Sequence, residues 1–280
     1  MSTQATPALC SQIRRDIVRM VHGASSGHPG GSLGCVELLA KLYFDVMNID
    51  PEEFHMDGKE EDLFFLSNGH ISPVWYSVLS RRGFFPIKEL ATFRKINSRV
   101  QGHPATEEGL PGIRIASGSL GQGLSVALGA AETKRLNGEE TWVYSLHGDG
   151  ELQEGQIWEA VMYAAHNKVD NILSFVDCNG QQIDGPCDEV LCLSDLAGKF
   201  NAFGWHVMEC NGHNLEDLQR VIDEAHSRRG SGVPCIVLMK TEMGKGIDFM
   251  EGTHKWHGVA PNDEQLADAL SQLEETLGDY

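Results

Sequence analysis

Trp142-Val143-Tyr144-Ser145-Leu146-His147-Gly148-Asp149-Gly150 and Ile172-Leu173-Ser174-Phe175-Val176-Asp177-Cys178-Asn179-Gly180 decide the fold, because they are the same event twice. In each, a short apolar run stops at a polar, glycine-bearing turn. The runs Trp142 to Leu146 and Ile172 to Val176 are too short and too continuously apolar for amphipathic helices, and suit buried strands. Between them, Glu154 to His166 carries Ile157, Val161, Ala164 and Ala165 at helical spacing, so it reads as a helix. Strand, helix, strand is a βαβ unit with parallel strands and a right-handed crossover. The pattern continues outward. Gly204 to Cys210 and Pro234 to Lys240 read as strands flanking a helix over Leu215 to His226. Upstream, Asp62 to Ser67 holds Leu63-Phe64-Phe65-Leu66, another buried strand. Cys10 to Val21 reads as an amphipathic helix through Ile13, Ile17, Val18 and Val21. Ser32 is placed to cap a following helix that carries Val36, Leu39, Leu42 and Tyr43. Asp263 to Leu277 is a terminal helix, with Asp263 at its cap or start. The expected class is α/β, a parallel sheet covered by helices on both faces.

On such a sheet, ligands gather at the carboxyl ends of the strands. Asp149 ends one strand and Asn179 lies just past the end of the next, 30 residues later, the usual length of a βαβ step. Their side chains are therefore expected side by side. A carboxylate and an amide oxygen are hard ligands suited to Mg²⁺ or Ca²⁺, and Mg²⁺ commonly leaves several positions to phosphate oxygens. Gly148 and Gly150 let backbone amides approach a diphosphate closely. Either turn alone would read as a tight turn and nothing more. Two of them, each closing an apolar strand and one helix apart, point to a metal and a diphosphate.

Composition narrows the partners. The 280 residues include 40 acidic and 22 basic side chains, a formal net charge of -18. This argues against nucleic acid or an anionic membrane as a partner. No apolar run approaches the roughly 20 residues of a membrane span, and Met1 to Cys10 lacks the blocks of a signal peptide. The seven cysteines are odd in number and form no C-x-x-C pair, as expected of free thiols in the cytoplasm. Among the 12 histidines, His28, His70, His103 and His254 sit in glycine-rich polar loops, with His257 just beyond. Their spacing fits no zinc motif. Four such loops suggest convergence on one anionic or hydroxyl-rich ligand.

Gly148-Asp149-Gly150 to Asn179 resembles the thiamin diphosphate-binding motif. The resemblance implies that Asp149, Asn179 and the backbone carbonyl of Gln181 hold the metal, Mg²⁺ with Ca²⁺ or Mn²⁺ as alternatives. The loops Gly27-His28-Pro29-Gly30-Gly31-Ser32, Leu66-Ser67-Asn68-Gly69-His70, Gly102-His103-Pro104 and Gly118 to Gly123, together with Gly148 to Gly155, resemble transketolase in order and content. The likeness runs from about Ile13 to Pro261. It implies one diphosphate-binding domain over residues 1–280, with Gly148, Asp149, Gly150 and Asn179 on the cofactor. It further implies that His70 contacts the diphosphate and that Gly118 and Leu120 lie near the aminopyrimidine. His28, His103 and His254 would line the substrate channel as catalytic residues. Glu154 would sit at a subunit interface near the aminopyrimidine, and His257 is left between a structural and a channel role. Two positions depart from the family pattern: Ser119 stands where a proline is common, and Ala105 where a glutamate is. They put the sugar in doubt rather than the cofactor.

A transketolase also carries a pyrimidine-binding domain and a C-terminal domain, which this sequence lacks. The resemblance therefore implies the N-terminal subunit of a split enzyme, with two copies each of this chain and a C-terminal partner. The polar ending Gly278-Asp279-Tyr280 reads as natural. The expected activity is transfer of a two-carbon ketol unit from a ketose phosphate to an aldose phosphate, using thiamin diphosphate. Two alternatives stand beside it: a subunit of another thiamin enzyme (a 2-oxoacid dehydrogenase or a deoxyxylulose-phosphate synthase), and a non-catalytic cofactor-binding protein.

Overall fold

The computed structural model describes residues 4–280, leaving the first three residues of the N-terminal stretch outside it. The chain opens with helix α1 (Pro7–Gly23), which Thr6 starts by accepting a hydrogen bond from the Leu9 amide ahead of Pro7. Two short helices follow, α2 (Pro29–Gly34) and α3 (Val36–Lys41), then strand β1 (Leu63–Leu66) and helix α4 (Ser72–Arg82). A long loop leads to α5 (Gly123–Asn137), β2 (Val143–Gly148), α6 (Gly155–His166) and β3 (Ile172–Cys178). A small hairpin, β4 (Gln181–Gln182) and β5 (Gly185–Pro186), precedes α7 (Cys187–Leu191) and α8 (Leu196–Ala202). The chain finishes with β6 (His206–Asn211), α9 (Leu215–Ser227), β7 (Cys235–Lys240) and α10 (Asp263–Gln272).

The five long strands form one parallel sheet in the order β1-β2-β3-β7-β6. After β3 the chain skips a place to the edge strand β6 and returns to fill the gap with β7. Winding thus reverses direction between β3 and β7, the kind of switch point where α/β sheets open a crevice at their carboxyl ends. Every residue of β1 is buried, as are all but the last of β2 and β3, so both faces of these strands are covered. The edge strand β6 alternates buried and open positions and is covered less completely.

Several boundaries differ from the sequence reading for local reasons. Ser32 does not cap α3. It lies inside α2, where its hydroxyl donates to the His28 carbonyl at 2.7 Å, and α3 has no side-chain cap. Asp263 begins α10, but the cap is Asn262, in a reciprocal capping box with Gln265. That helix stops at Gln272 rather than Leu277, because the tail turns away to dock on α1: Asp279 pairs with Arg15 at 2.7 Å. β6 starts two residues after Gly204, whose φ of +88° makes it a turn. Deep in the packing between α1 and α4, the fully buried Asp16 carboxylate receives Arg81 through two nitrogens, at 2.5 and 2.7 Å, and the Ser77 hydroxyl at 2.6 Å.

Candidate cofactor site

The register of β2 and β3 sets Gly148 opposite Asp177, so the two polar turns leave the sheet side by side. The Asp149 carboxylate ties them together, accepting the amides of Gly150 and Gly180, each at 2.7 Å. Asn179 is fixed from behind: its amide nitrogen donates to Asp177 at 2.8 Å, while its oxygen accepts the Gln181 amide at 2.9 Å. Asp177 is itself held by the Thr241 hydroxyl and is 2% exposed.

Asp149 and Asp177 are thus two buried carboxylates close together, and among the described residues none of the hydrogen bonds or ion pairs at either comes from a lysine or arginine. Burial, then the Asp177 charge, pushes the Asp149 carboxyl up to about 6, and burial raises Asp177 as well. Such a pair is the electrostatic complement of a cation. Among the described residues no cluster of three or more His, Cys, Asp or Glu side chains could hold a metal. The donors at hand are one carboxylate, one amide oxygen and a backbone carbonyl, the set Mg²⁺ accepts when phosphates fill the remaining positions. The residues fit a metal diphosphate.

Above this pair lies a cavity of about 370 Å³, walled by His28, His70, His103, His257, Asp149 and Asn179, with Leu120 and Glu154 also lining it. His28 stands immediately before α2, and His70 sits in the turn between β1 and α4. The His28 ring lies 5.1 Å from that of His70, 5.7 Å from His257 and 6.4 Å from His103; His70 and His257 stack at 5.2 Å. Gly118, at φ +136°, passes so close to His103 that a Cβ would lie 3.0 Å from its ring. Gly69 is tighter still, since a Cβ there would meet Ser117 at 2.4 Å. Burial, reinforced by the neighbouring histidines and Arg94, lowers the His28 pKa to about 4. His70, His103 and His257 are lowered too, in each case chiefly by burial. The rings are therefore neutral at neutral pH, and His28 and His257 each keep a buried Nδ1 without a partner.

Of the residues singled out from the sequence, His28, His70, His103, Gly118, Leu120, Gly148, Asp149, Gly150, Glu154, Asn179 and Gln181 all line this cavity. His254 does not. It opens a short turn, and His257, three residues further on, is the one that enters the cluster. Two residues had no role in the sequence reading. One is Asp177, whose signal was a charge closing a buried, mostly apolar strand. The other is Glu151, 3% exposed, whose carboxylate accepts the Gly121 amide at 2.7 Å and the Gly148 amide at 3.0 Å. Burial works to raise its pKa, but His147, Ser67 and Gly121 outweigh this and hold it below the usual range.

An α/β sheet that brings Asp149 and Asn179 together at the ends of adjacent parallel strands, in one cavity, is the arrangement expected of a thiamin diphosphate-binding domain. The family described as transketolase, thiamine diphosphate binding domain, matches residues 6–277, and the chain belongs to it. It is 38% identical over 263 residues to the 6-deoxy-6-sulfo-D-fructose transketolase subunit SqwG of Clostridium sp. (strain MSTE9), covering 94% of each. It is 36% identical over 267 residues to an apulose-4-phosphate transketolase subunit from Phocaeicola vulgatus, covering 94% of this chain and 92% of that one. The transketolase structure from Leishmania mexicana superposes with a TM-score of 0.89 at 29% identity, covering 99% of this chain but only 43% of that one.

Proposed function

We propose that this chain is the diphosphate-binding subunit of a two-chain transketolase that moves a two-carbon ketol unit between sugar phosphates. The observation that carries the reading is the Asp149 and Asn179 pair lying beneath a cluster of neutral histidines in one cavity. Asp149, Asn179 and the Gln181 carbonyl would hold Mg²⁺, with Ca²⁺ or Mn²⁺ as substitutes, and through it the cofactor diphosphate. His70 faces that diphosphate. Bound thiamin diphosphate supplies the electron sink for breaking and making a carbon–carbon bond beside a carbonyl. The chain itself positions and moves protons. His28 and His103 face the space left for sugar hydroxyls, and His257 takes the place first given to His254. Neutral imidazoles can accept a hydroxyl proton and return it.

The partner polypeptide supplies the pyrimidine-binding domain. Two relatives that match this chain over nearly their full length are named as transketolase subunits, which supports a divided enzyme. The outward faces of α5 and α6 leave Val126, Met162 and Tyr163 exposed, and Ile183 at the cavity rim and Val190 and Leu191 at the end of α7 lie open as well. Apolar area of this kind seeks cover. Glu154, at the start of α6, lies where this face meets the cavity. An assembly with two copies of each chain follows from the prevalence of closed two-fold symmetry. We place it in the cytoplasm, since all seven cysteines are free. Among the described residues no helix is long and apolar enough to cross a membrane.

The test is a coupled assay with a ketose phosphate donor and an aldose phosphate acceptor. The purified chain, a polypeptide carrying a pyrimidine-binding domain, and the mixture are compared. Only the mixture, with thiamin diphosphate and Mg²⁺, should turn over. Full turnover by this chain alone would overturn the divided-enzyme reading.

A further inference from the structure

We infer that Glu151 is a positioning residue for the cofactor, a buried carboxylate that staples together the three loops on which the cofactor reading rests. Its purpose depends on that reading, but its geometry stands apart. Oε1 accepts the Gly121 amide at 2.7 Å and the Ser67 hydroxyl; Oε2 accepts the Gly148 amide at 3.0 Å. Ser67 in turn accepts the Gly123 amide at 3.1 Å. Ser67 lies three residues before His70, Gly121 follows Leu120, and Gly148 precedes Asp149. One side chain therefore sets the loop of the diphosphate histidine, the loop beside the aminopyrimidine and the loop of the metal aspartate against each other.

The chemistry explains why a carboxylate is needed here. Three donors arrive from two directions, and only a group that accepts on both oxygens satisfies them all. A glutamine would turn its amide N–H toward one donor side and leave that side unpaired. Among the described residues Glu151 forms no ion pair with lysine or arginine; the nearest group able to carry positive charge is His147 Nδ1, at 3.9 Å. Burying an anion this way is unfavourable unless its hydrogen bonds are complete. They are complete here, and all three go to backbone or side-chain donors of the cofactor loops. Glu151 also lines the cavity wall, yet its oxygens are engaged by the protein and not offered to a ligand. It acts through the loops and would not touch the reacting atoms.

The experiment compares the wild-type chain with Glu151→Gln and Glu151→Ala. Hydrogen–deuterium exchange is measured without ligand, and binding of thiamin diphosphate with Mg²⁺ is measured by calorimetry with the pyrimidine-domain polypeptide present. In Glu151→Gln, exchange should quicken in peptides covering residues 118–124 and 147–150, with the rest of the sheet unchanged and melting little altered. Affinity should fall about 10- to 100-fold, as for other groups that orient metal and cofactor ligands, and further in Glu151→Ala. Wild-type exchange and affinity in Glu151→Gln would overturn the proposal. So would a general rise in exchange with affinity falling in step with stability, since that marks an ordinary structural residue. If the wild-type chain together with the pyrimidine-domain polypeptide bound no thiamin diphosphate, the cofactor reading would be refuted instead. The exchange comparison, made without ligand, would still decide whether the staple exists.

Discussion

Acidification should destabilise the unliganded chain through His28, and the size of the effect can be worked from its surroundings. His28 is packed among His70, His103 and His257, and burial lowers its pKa from 6.5 to about 4. Its folded value is depressed, so between pH 6.5 and 4 the unfolded chain binds more protons at this position than the folded one. Its contribution to stability is whole above about pH 6.5 and is lost progressively as pH falls toward 4. Each pKa unit corresponds to about 1.4 kcal/mol. At pH 5 the loss is therefore about 2 kcal/mol, or roughly 1–2 allowing for the partial exposure of the ring. For a domain of this size that is a fall in Tm of roughly 3–6 °C. The assay is thermal melting between pH 8 and 5 of the wild-type chain and of His28→Gln, which cannot be protonated. The comparison matters because Asp149, raised to about 6, works with the opposite sign over part of this range. The wild-type curve should drop more steeply below pH 6.5, the two curves separating by that amount at pH 5. Parallel curves would refute the idea that the packed cluster keeps His28 neutral.

Two further outcomes follow from single contacts. Asp149→Asn removes one of the buried charges facing the expected cation, so thiamin diphosphate with Mg²⁺ should no longer protect the variant; the wild-type gain at 100 times Kd is about 2.7 kcal/mol, and an unchanged melting shift would contradict the metal assignment. Asp16→Ala leaves Arg81 buried without its carboxylate and should lower stability by about 3–5 kcal/mol in urea unfolding, whereas a loss below about 1 kcal/mol would mean that the pair is structurally idle.

The strands were legible because burial on both faces leaves a mostly apolar run, as in Val143 to Leu146 and Ile172 to Val176, each broken only by a serine that bonds its counterpart, Ser145 to Ser174, at 2.8 Å. Asp149 and Asn179 were legible for a related reason: parallel pairing converts positions one crossover apart into neighbours. Helix α5 gave no such signal. Its sequence, Gly123-Leu124-Ser125-Val126-Ala127-Leu128-Gly129-Ala130-Ala131, is small and apolar nearly all round, so its periodicity is weak, and part of that apolar surface stays exposed. Glu151 was invisible for a different reason. Ser67 and Gly121 lie 84 and 30 positions away from it, so nothing local to Glu151 marks it as their acceptor. His254 and His257 show the limit of loop reading at its sharpest, because both sit in one polar loop three residues apart and only the folded loop shows that the second lines the cavity. Ser119, which stands where the related loops commonly have proline, is likewise settled by a contact. Its hydroxyl accepts a hydrogen bond from the Gln122 side-chain amide at 3.0 Å, a local restraint on a turn that proline would stiffen covalently. On the proposed reading, selection among sugars rests on groups that line the cavity, which on this chain include His103 but not Ala105.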